Sequence, residues 1–257
     1  NQFLSNIRET NAIIHVLRCY QDKNITHVEG NVDPLRDKEI VDFELQLKDM
    51  ESLEKRKEKI IKYLKIGGNE YKKEYEYIEE LIEHLKKGLS LRDFNIDNIS
   101  FEKYLKPLSL LTLKPVLYVC NIDEKLINNN DQLLTSTVKY LEKENSKIII
   151  IAAKIEQEIN ELDSYEDRQV FLNDYGLKES GTSLLINEAH KLLNLSTFYT
   201  AGKKEVRAWT FVNGSKAPKV AGIIHSDFEK GFIKAEVMKF DDFDEYQSEA
   251  KVKEAGK

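Results

Sequence analysis

One short apolar run limits what this chain can fold into more than any other stretch. It begins at Lys114-Pro115, continues as Val-Leu-Tyr-Val-Cys over residues 116–120, and stops at Asn121 with Asp123 and Glu124 close behind. Such a run, bounded by proline and by polar residues, predicts a buried β-strand. In an open α/β sheet, ligands bind outside the carboxyl ends of the strands. The run therefore predicts a strand that delivers polar side chains to a binding site.

The remainder of the sheet is predicted from two further apolar runs, residues 12–19 and 147–153. Helical spacing predicts helices over residues 131–143, 154–162, 165–175 and 182–193. Alternating strands and helices indicate an α/β fold with a parallel, doubly wound sheet. Three strands are few for such a sheet, and residue 1 is not Met, so we expect the sequence to be part of a longer protein.

A highly charged helical region interrupts the α/β pattern over residues 38–112. Apolar residues recur with a 4-3-4-3 spacing on both sides of Gly67-Gly68, which predicts an antiparallel coiled-coil arm inserted in the α/β domain. The predicted seam comprises Phe43, Leu47, Met50, Glu54, Lys57, Ile61 and Leu64, then Tyr71, Tyr75, Ile78, Ile82 and Leu85. Because Glu54 and Lys57 fall on this seam, we expect loose packing in its middle. Residues 89–113 are expected to return the chain to the main core.

The character of the sequence changes at residue 195. Strands are predicted over residues 197–200 and 206–212, a helix over 217–227, and another strand over 232–240. We therefore predict three parts: the α/β domain in residues 1–37 and 113–194, the helical insertion in 38–112, and a small module in 195–257. Residues 195–240 contain eight Lys or Arg and four Asp or Glu. The basic residues that we consider candidates for RNA or partner contact are Lys203, Lys204, Arg207, Lys216, Lys219 and Lys230.

Composition excludes several classes of protein. A formal net charge of −6 argues against general coating of nucleic acid and gives no indication of DNA specificity. The two cysteines lie in apolar runs, which predicts a reducing compartment such as the cytoplasm rather than a disulfide framework. No apolar run approaches the ~20 residues of a membrane span, so no membrane partner is expected. His27 and Glu29 share one loop without a third ligand, which favours turn chemistry over a metal site.

Two predicted strand ends carry the polar groups of the candidate site. Asn121, Ile122 and Glu124 follow one strand, and Ala152, Ala153 and Lys154 follow the next along the chain. Guanine-binding P-loop proteins place Asn-Lys-x-Asp and Ser-Ala-Lys at such positions, where the Asp accepts from guanine. An Asn side chain can bind adenine, because it can accept from N6–H and donate to N7. With Glu in place of Asp and Ile in place of Lys, the pattern predicts adenine, although an Asn after a strand is also a common turn residue.

Longer segments of the chain resemble the YchF-type, Obg-like ATPases, a family of P-loop NTPases. Residues 1–9 are similar to the family's helix after switch II, and residues 22–34 to the segment after its fourth strand. Residues 198–209 and 225–233 look like its C-terminal TGS module, a β-grasp, ubiquitin-like fold. The family also has an inserted helical arm, and its N-x-x-E element falls on residues 121–124.

The resemblance implies an ATP-binding, ATP-hydrolysing protein that works with ribosomes or other translation components, with Mg²⁺ as cofactor and RNA contact through the TGS-like module. A glycine-rich P-loop with a Lys and a metal ligand is absent from the 257 residues. We therefore expect no catalytic residue and no metal ligand in this chain, which would be inactive alone. A GTPase of the same class and a non-catalytic RNA- or protein-binding adaptor remain alternatives.

Overall fold

The strand predicted after Pro115 lies at the centre of a parallel sheet in the computed structural model, which describes residues 2–129, 131–202 and 204–257. The sheet has the order β1-β2-β3, where β1 is Ile13–Arg18, β2 is Val116–Asn121 and β3 is Lys147–Ile151. The parallel register sets Asn121 beside Arg18 on one side and Ile151 on the other. All three predicted strands and their parallel arrangement are thus confirmed.

This sheet belongs to a first compact unit, residues 1–193, together with the helices of the α/β layer and of the insertion. These helices are α1 (Gln2–Glu9), α2 (Pro34–Lys65), α3 (Lys72–Lys86), the single turn α4 (Asn98–Ser100), α5 (Gln132–Lys143), α6 (Ala153–Glu161), α7 (Tyr165–Asp174) and α8 (Gly181–Leu192). Side chains cap three helices of the α/β layer: Asp131 accepts from the Leu134 N–H, Ser164 from Asp167 and Ser180 from Ser183. The predicted helices of the α/β layer are confirmed to within two residues.

Both faces of the sheet are covered, as a doubly wound fold requires. On one face Cys120 packs in a cluster with Leu134 and Leu141 of α5 and Ile155 of α6. On the other face, a second cluster joins residues of β2 and β3 to α8: Leu117, Val119, Ile149, Ile151, Leu185 and Leu192. Cys19 and Cys120 are free and buried, in agreement with the prediction of no disulfide framework.

Helices α2 and α3 form an antiparallel hairpin, but the seam predicted along α2 is only partly correct, since Met50 and Leu64 pack against the hairpin's core while the other predicted positions on α2 do not. The fully buried apolar residues of α2 are Leu53 and Ile60, whereas Phe43 is 61% exposed and Leu47 40% exposed. The expected loose middle is wrong, because Lys57 reaches outward to Glu79 (2.9 Å) and leaves the apolar positions closely packed. A spacing of 3.5 residues suits two helices alone, whereas α2 turns its apolar face toward a third layer.

This third layer is the segment after the hairpin, and it corrects a second expectation. Leu91, Leu105 and Leu110 pack in the hairpin's cluster rather than in the main core beside the sheet. Asp49, fully buried on α2, holds the returning chain by accepting from the Leu111 N–H (2.7 Å) and from the N–H and hydroxyl of Thr112 (2.7 and 2.8 Å). The returning segment therefore belongs to the helical region.

The second unit, residues 194–257, begins with an antiparallel pair, β4 (Leu195–Ala201) and β5 (Val206–Val212). It continues with α9 (Ala217–Ile224), α10 (Ser226–Lys230), α11 (Phe240–Tyr246) and α12 (Glu249–Glu254). The helix predicted over 217–227 is interrupted at His225, whose backbone is extended and whose ring accepts from the Asp227 N–H (3.2 Å). The strand predicted over 232–240 is wrong: residues 232–239 have no regular structure. A strand needs a neighbour for its ladder hydrogen bonds, and no described segment pairs with these residues.

Candidate nucleotide-base site

The carboxyl edge of the sheet brings the two predicted strand ends together. The Cys19 N–H donates to the Asn121 carbonyl (2.8 Å), and the Ile122 N–H donates to the Ile151 carbonyl (2.9 Å), so the ladder continues one step past β2. At this point the Ala153 N–H donates to Oδ1 of the half-buried Asn121 (3.1 Å). The chain thus fixes the direction of the Asn121 amide, and its Nδ2 group is turned away from the Ala153 N–H.

A carbonyl oxygen has two lone pairs, so Oδ1 of Asn121 retains capacity for a second donor. The amide therefore presents one donor, Nδ2, and one remaining acceptor at the sheet edge. This pair matches a ligand edge that carries an acceptor beside a donor.

The two acidic residues that follow Asn121 have different surroundings. Asp123 accepts from the Lys125 N–H (3.0 Å) and begins a short 3₁₀ turn over Glu124–Leu126. Glu124 instead accepts from the Lys154 ammonium (3.0 Å), a bond that raises the pKa of Lys154. Glu124 and Lys154 thus link the two strand ends across the edge, although Lys154 is 68% exposed and solvent screens the pair.

The structure distributes the remaining candidate residues between core and surface. The Ile122 side chain is buried in the main core, so only its backbone lies at the edge. Ala152 is also buried and precedes the first turn of α6, whereas Ala153 and Lys154 are exposed in that turn. Beside this edge, an open cleft runs between Tyr20 and α5, with Asp123 on its wall.

Sequence reasoning missed Glu156, which supports the second strand end. This buried side chain accepts from the Gly181 N–H (2.6 Å) and from the N–H and hydroxyl of Thr182 (both 2.8 Å) at the start of α8. Gly181 allows the approach, since a Cβ there would lie 2.9 Å from the Ile151 side chain. The sequence offers only an indirect signal, because an acid is favourable near any helix N-terminus and Glu156 lies in the first turn of α6.

The basic candidates of the second unit are exposed but occur on separate elements. Arg207 lies on β5, where its guanidinium stacks over the Trp209 ring at 4.1 Å. Lys216 and Lys219 flank the start of α9, and Lys230 ends α10. Lys204 lies in the turn between the two strands, and Lys203 falls outside the described residues.

Neither a metal-binding cluster nor a membrane-spanning helix occurs in the residues that the structure describes. In residues 2–129, 131–202 and 204–257, no group of three or more His, Cys, Asp or Glu side chains is arranged to hold a metal ion. His27 is engaged instead by Asp37 (2.8 Å), in keeping with the loop role predicted for it. None of the helices in these ranges has the length and apolar character needed to cross a membrane.

A parallel sheet covered on both faces, with polar groups converging at its carboxyl edge, defines an α/β protein of the class that binds ligands at that edge. Comparisons with known proteins identify the family within this class. The chain is 42% identical over 257 residues to the ribosome-binding ATPase YchF of Pasteurella multocida and 44% identical over 259 residues to that of Bacillus subtilis, covering all of this chain and 70% of each relative. The chain belongs to the YchF family.

Two other comparisons agree. The structure of the YchF GTPase of Schizosaccharomyces pombe matches the whole chain with a TM-score of 0.88 and 32% identity, over 69% of that protein. A family model for the C-terminal domain of YchF-type GTPases, described as a protein of unknown function (DUF933), matches residues 195–257. The resemblance noted from the sequence is thereby confirmed.

Proposed function

We propose that this protein is an ATP-hydrolysing, ribosome-associated switch protein of the cytoplasm, and that the described sheet edge is the part of its nucleotide site that contacts the base. The names of the bacterial relatives, ribosome-binding ATPases, support the activity and the partner. The observation that carries the site assignment is the hydrogen bond from the Ala153 N–H to Oδ1 of Asn121.

Adenine fits the amide of Asn121 in the orientation that this bond imposes. Nδ2 donates to N7 of the base, and the remaining lone pair of Oδ1 accepts from the N6 amino group. Guanine presents two acceptors, N7 and O6, along the same edge, so Oδ1 would face another oxygen. The amide of Asn121 therefore favours adenine.

Glu124 adds to this preference. A carboxylate selects guanine when it is free to accept from N1–H and the N2 amino group. Glu124 is instead occupied by Lys154, and its side chain is one methylene longer than the Asp of guanine-binding proteins. We assign Glu124 and Lys154 to closing the base pocket, with the backbone of Ile122 and residues 152–153 forming its wall.

Phosphates and Mg²⁺ require groups that these residues do not supply. The sequence contains no G-x-x-x-x-G-K-[ST] pattern, and the described side chains include no arrangement that fits a metal. The bacterial relatives are longer, since the chain covers 70% of each. We propose that the phosphate and Mg²⁺ ligands belong to a part of the protein outside these 257 residues, which alone would not hydrolyse ATP.

The two other regions are assigned as partner-contacting elements. The α2–α3 hairpin would act as the coiled-coil arm of the family, and residues 195–257 as part of a β-grasp, TGS-like module. In that module the exposed Arg207, stacked on Trp209, together with Lys204, Lys216, Lys219 and Lys230 would contact RNA phosphates.

The test is a calorimetric titration of the complete gene product with ATP and with GTP in the presence of Mg²⁺. We expect ATP to bind at least about tenfold more tightly, since one mismatched bidentate contact is worth about 1–3 kcal/mol. Tighter binding of GTP would overturn the adenine assignment. Tighter binding of GTP would favour the second candidate function, a GTPase, which agrees with the name of the S. pombe relative.

The distinction from a non-catalytic adaptor needs a different measurement. The complete gene product should release phosphate from ATP, and a glycine-rich P-loop should be present in its sequence. Ribosome co-sedimentation without nucleotide binding or phosphate release would identify an adaptor instead.

A further inference from the structure

The end of the helical hairpin carries a concentrated positive charge within a chain that is negative as a whole. We call residues 59–73 the hairpin tip: they include the end of α2, the turn at Gly67-Gly68 and the start of α3. The tip contains five lysines and one glutamate, in a chain whose net charge is −6. All five lysines are exposed: Lys59, Lys62, Lys65, Lys72 and Lys73.

These charges are not used in holding the hairpin together. Its interhelical ion pairs lie closer to the sheet along α2, Arg56 with Glu74 (2.6 Å) and Lys57 with Glu79 (2.9 Å). Within the described ranges, no tip lysine takes part in an ion pair. A cluster of unneutralised lysines attracts a polyanion, and phosphate backbones are bound in this way.

The tip also presents groups suited to unpaired bases. Tyr63 stacks on Tyr71 with ring centroids 4.9 Å apart, and Tyr63 is 42% exposed. Gly67 adopts a φ of +94°, and a Cβ there would meet nothing within 4 Å, so the backbone of the turn is open to close approach. Basic side chains beside an accessible aromatic ring and open backbone are the combination that binds single-stranded RNA.

The tip lies far along the hairpin from the sheet. Lys38, near the start of α2, packs over the Tyr118 ring of β2 at 5.6 Å. From Lys38 to the end of α2 at Lys65 the helix rises ~40 Å at 1.5 Å per residue. A ligand at the tip therefore leaves the sheet edge at Asn121 accessible.

We propose that the hairpin tip is an RNA-binding surface, with its lysines on phosphates and Tyr63 against an unpaired base. The choice of RNA over an acidic protein rests on the exposed aromatic ring and the open glycine turn, and on the ribosome association proposed above. This contact is independent of the nucleotide site.

The first experiment compares two triple variants of the complete gene product with equal loss of charge. K62Q/K65Q/K72Q alters the tip, and K139Q/K143Q/K178Q alters exposed lysines of the α/β layer as a control. Binding of a fluorescein-labelled, mixed-sequence RNA of 20 nucleotides is followed by anisotropy at several salt concentrations. We expect the tip variant to bind about tenfold more weakly at 0.1 M salt and to lower the slope of log K against log salt by about 2, since each single-strand phosphate contact contributes about 0.7. The control should keep the wild-type values.

A second experiment tests the aromatic contact. Tyr63→Phe keeps the ring and should leave the Kd for RNA unchanged, whereas Tyr63→Leu removes it and should weaken binding by about fivefold or more. Thermal melting of both variants checks that the hairpin remains folded, and Tyr63→Leu is compared with wild type only below its melting range.

The outcomes separate this inference from the proposed function. If the tip and control variants bind RNA as wild type does, and all co-sediment with ribosomes, the tip inference fails and the proposed function stands. If wild type binds RNA through the tip but does not co-sediment with ribosomes, the tip inference stands and ribosome association fails. Displacement of the RNA by an equal charge of polyglutamate as effectively as by unlabelled RNA would overturn the choice of RNA.

Discussion

The backbone N–H of Ala153 donates a hydrogen bond to Oδ1 of Asn121 over 3.1 Å, although the two residues are 32 positions apart in the chain. The parallel register of β2 and β3 creates this relationship, because Asn121 lies beside Ile151 and both strands end there. The bond orients the amide before any ligand arrives. Preorganisation of this kind removes part of the ordering cost of binding.

Replacing Asn121 by Asp should weaken ATP binding by about tenfold or more. Aspartate keeps the size of the side chain and still accepts from Ala153, but it lacks the donor for N7 of adenine, a loss of about 1–3 kcal/mol. Calorimetry on the complete gene product measures the change. Asn160→Asp, an exposed position on α6, is the matched control. An unchanged Kd for ATP in Asn121→Asp would refute the proposed role.

Replacing Asp49 by Ala should lower the free energy of unfolding by about 3 kcal/mol or more. The change would leave two backbone N–H groups and the Thr112 hydroxyl buried without an acceptor, each at a cost of about 1–3 kcal/mol. Urea denaturation measures it. Asp49→Asn keeps one acceptor oxygen and should lose less, while the exposed Asp163→Ala should stay within about 0.5 kcal/mol of wild type. Equal effects at Asp49 and Asp163 would contradict the assignment.

Leu53→Ala and Phe43→Ala distinguish the observed packing of α2 from the seam predicted by sequence spacing. Leu53 is fully buried and should lose about 2–5 kcal/mol of stability on truncation to Ala. Phe43 is 61% exposed, and its truncation should lose less than about 1 kcal/mol. Chemical denaturation of the two variants gives the comparison, and a larger loss at Phe43 would restore the predicted seam.

The free energy of unfolding should decrease as the pH is lowered below about 6.5, because His15 then becomes protonated. Burial lowers the pKa of His15 from its ordinary value of 6.5, assisted by Lys38 and Arg92 and opposed by Asp42. The unfolded chain therefore binds a proton more readily than the folded one. The stability contributed by neutral His15 is complete above the unfolded pKa and decreases as pH falls toward the folded pKa.

The measurement is urea denaturation between pH 5 and 8 of wild type and His15→Phe. Phenylalanine preserves an aromatic ring beside Tyr118, whose centroid lies 5.5 Å from that of His15, and removes the titration. The variant should show a flatter loss of stability toward low pH. Identical pH profiles would exclude His15 as a source of the dependence.

Periodicity and turn chemistry predicted the α/β layer because its signals are local. The run through Val116–Asn121 is apolar enough to be buried from both faces of the sheet, and Asp131 and Ser164 cap their helices through bonds to residues three positions away. Residues within one turn or one strand suffice for such predictions. The polar residues after β2 could be placed at an edge for the same reason.

The helical insertion could not be predicted in the same detail, because its core depends on a third partner. The spacing of Phe43 and Leu47 satisfies a two-helix seam, yet Leu53 and Ile60 share a cluster with Leu91 and Leu105 of a segment that follows later in the chain. Likewise, residues 232–239 have an apolar pattern suited to a strand but no described strand beside them. In both cases the contacts made in the folded chain decide the structure, and local sequence propensity does not.

By itself the sequence determined the order of strands and helices, the polar character of Asn121 and Glu124, and the resemblance to one family. It did not determine which atoms meet. Tertiary structure decided that Oδ1 of Asn121 accepts from Ala153, that Glu124 pairs with Lys154 and that the Ile122 side chain enters the core. The physical reason is that these contacts join segments about 30 residues apart, whose register is set by the packing of whole strands rather than by local propensity.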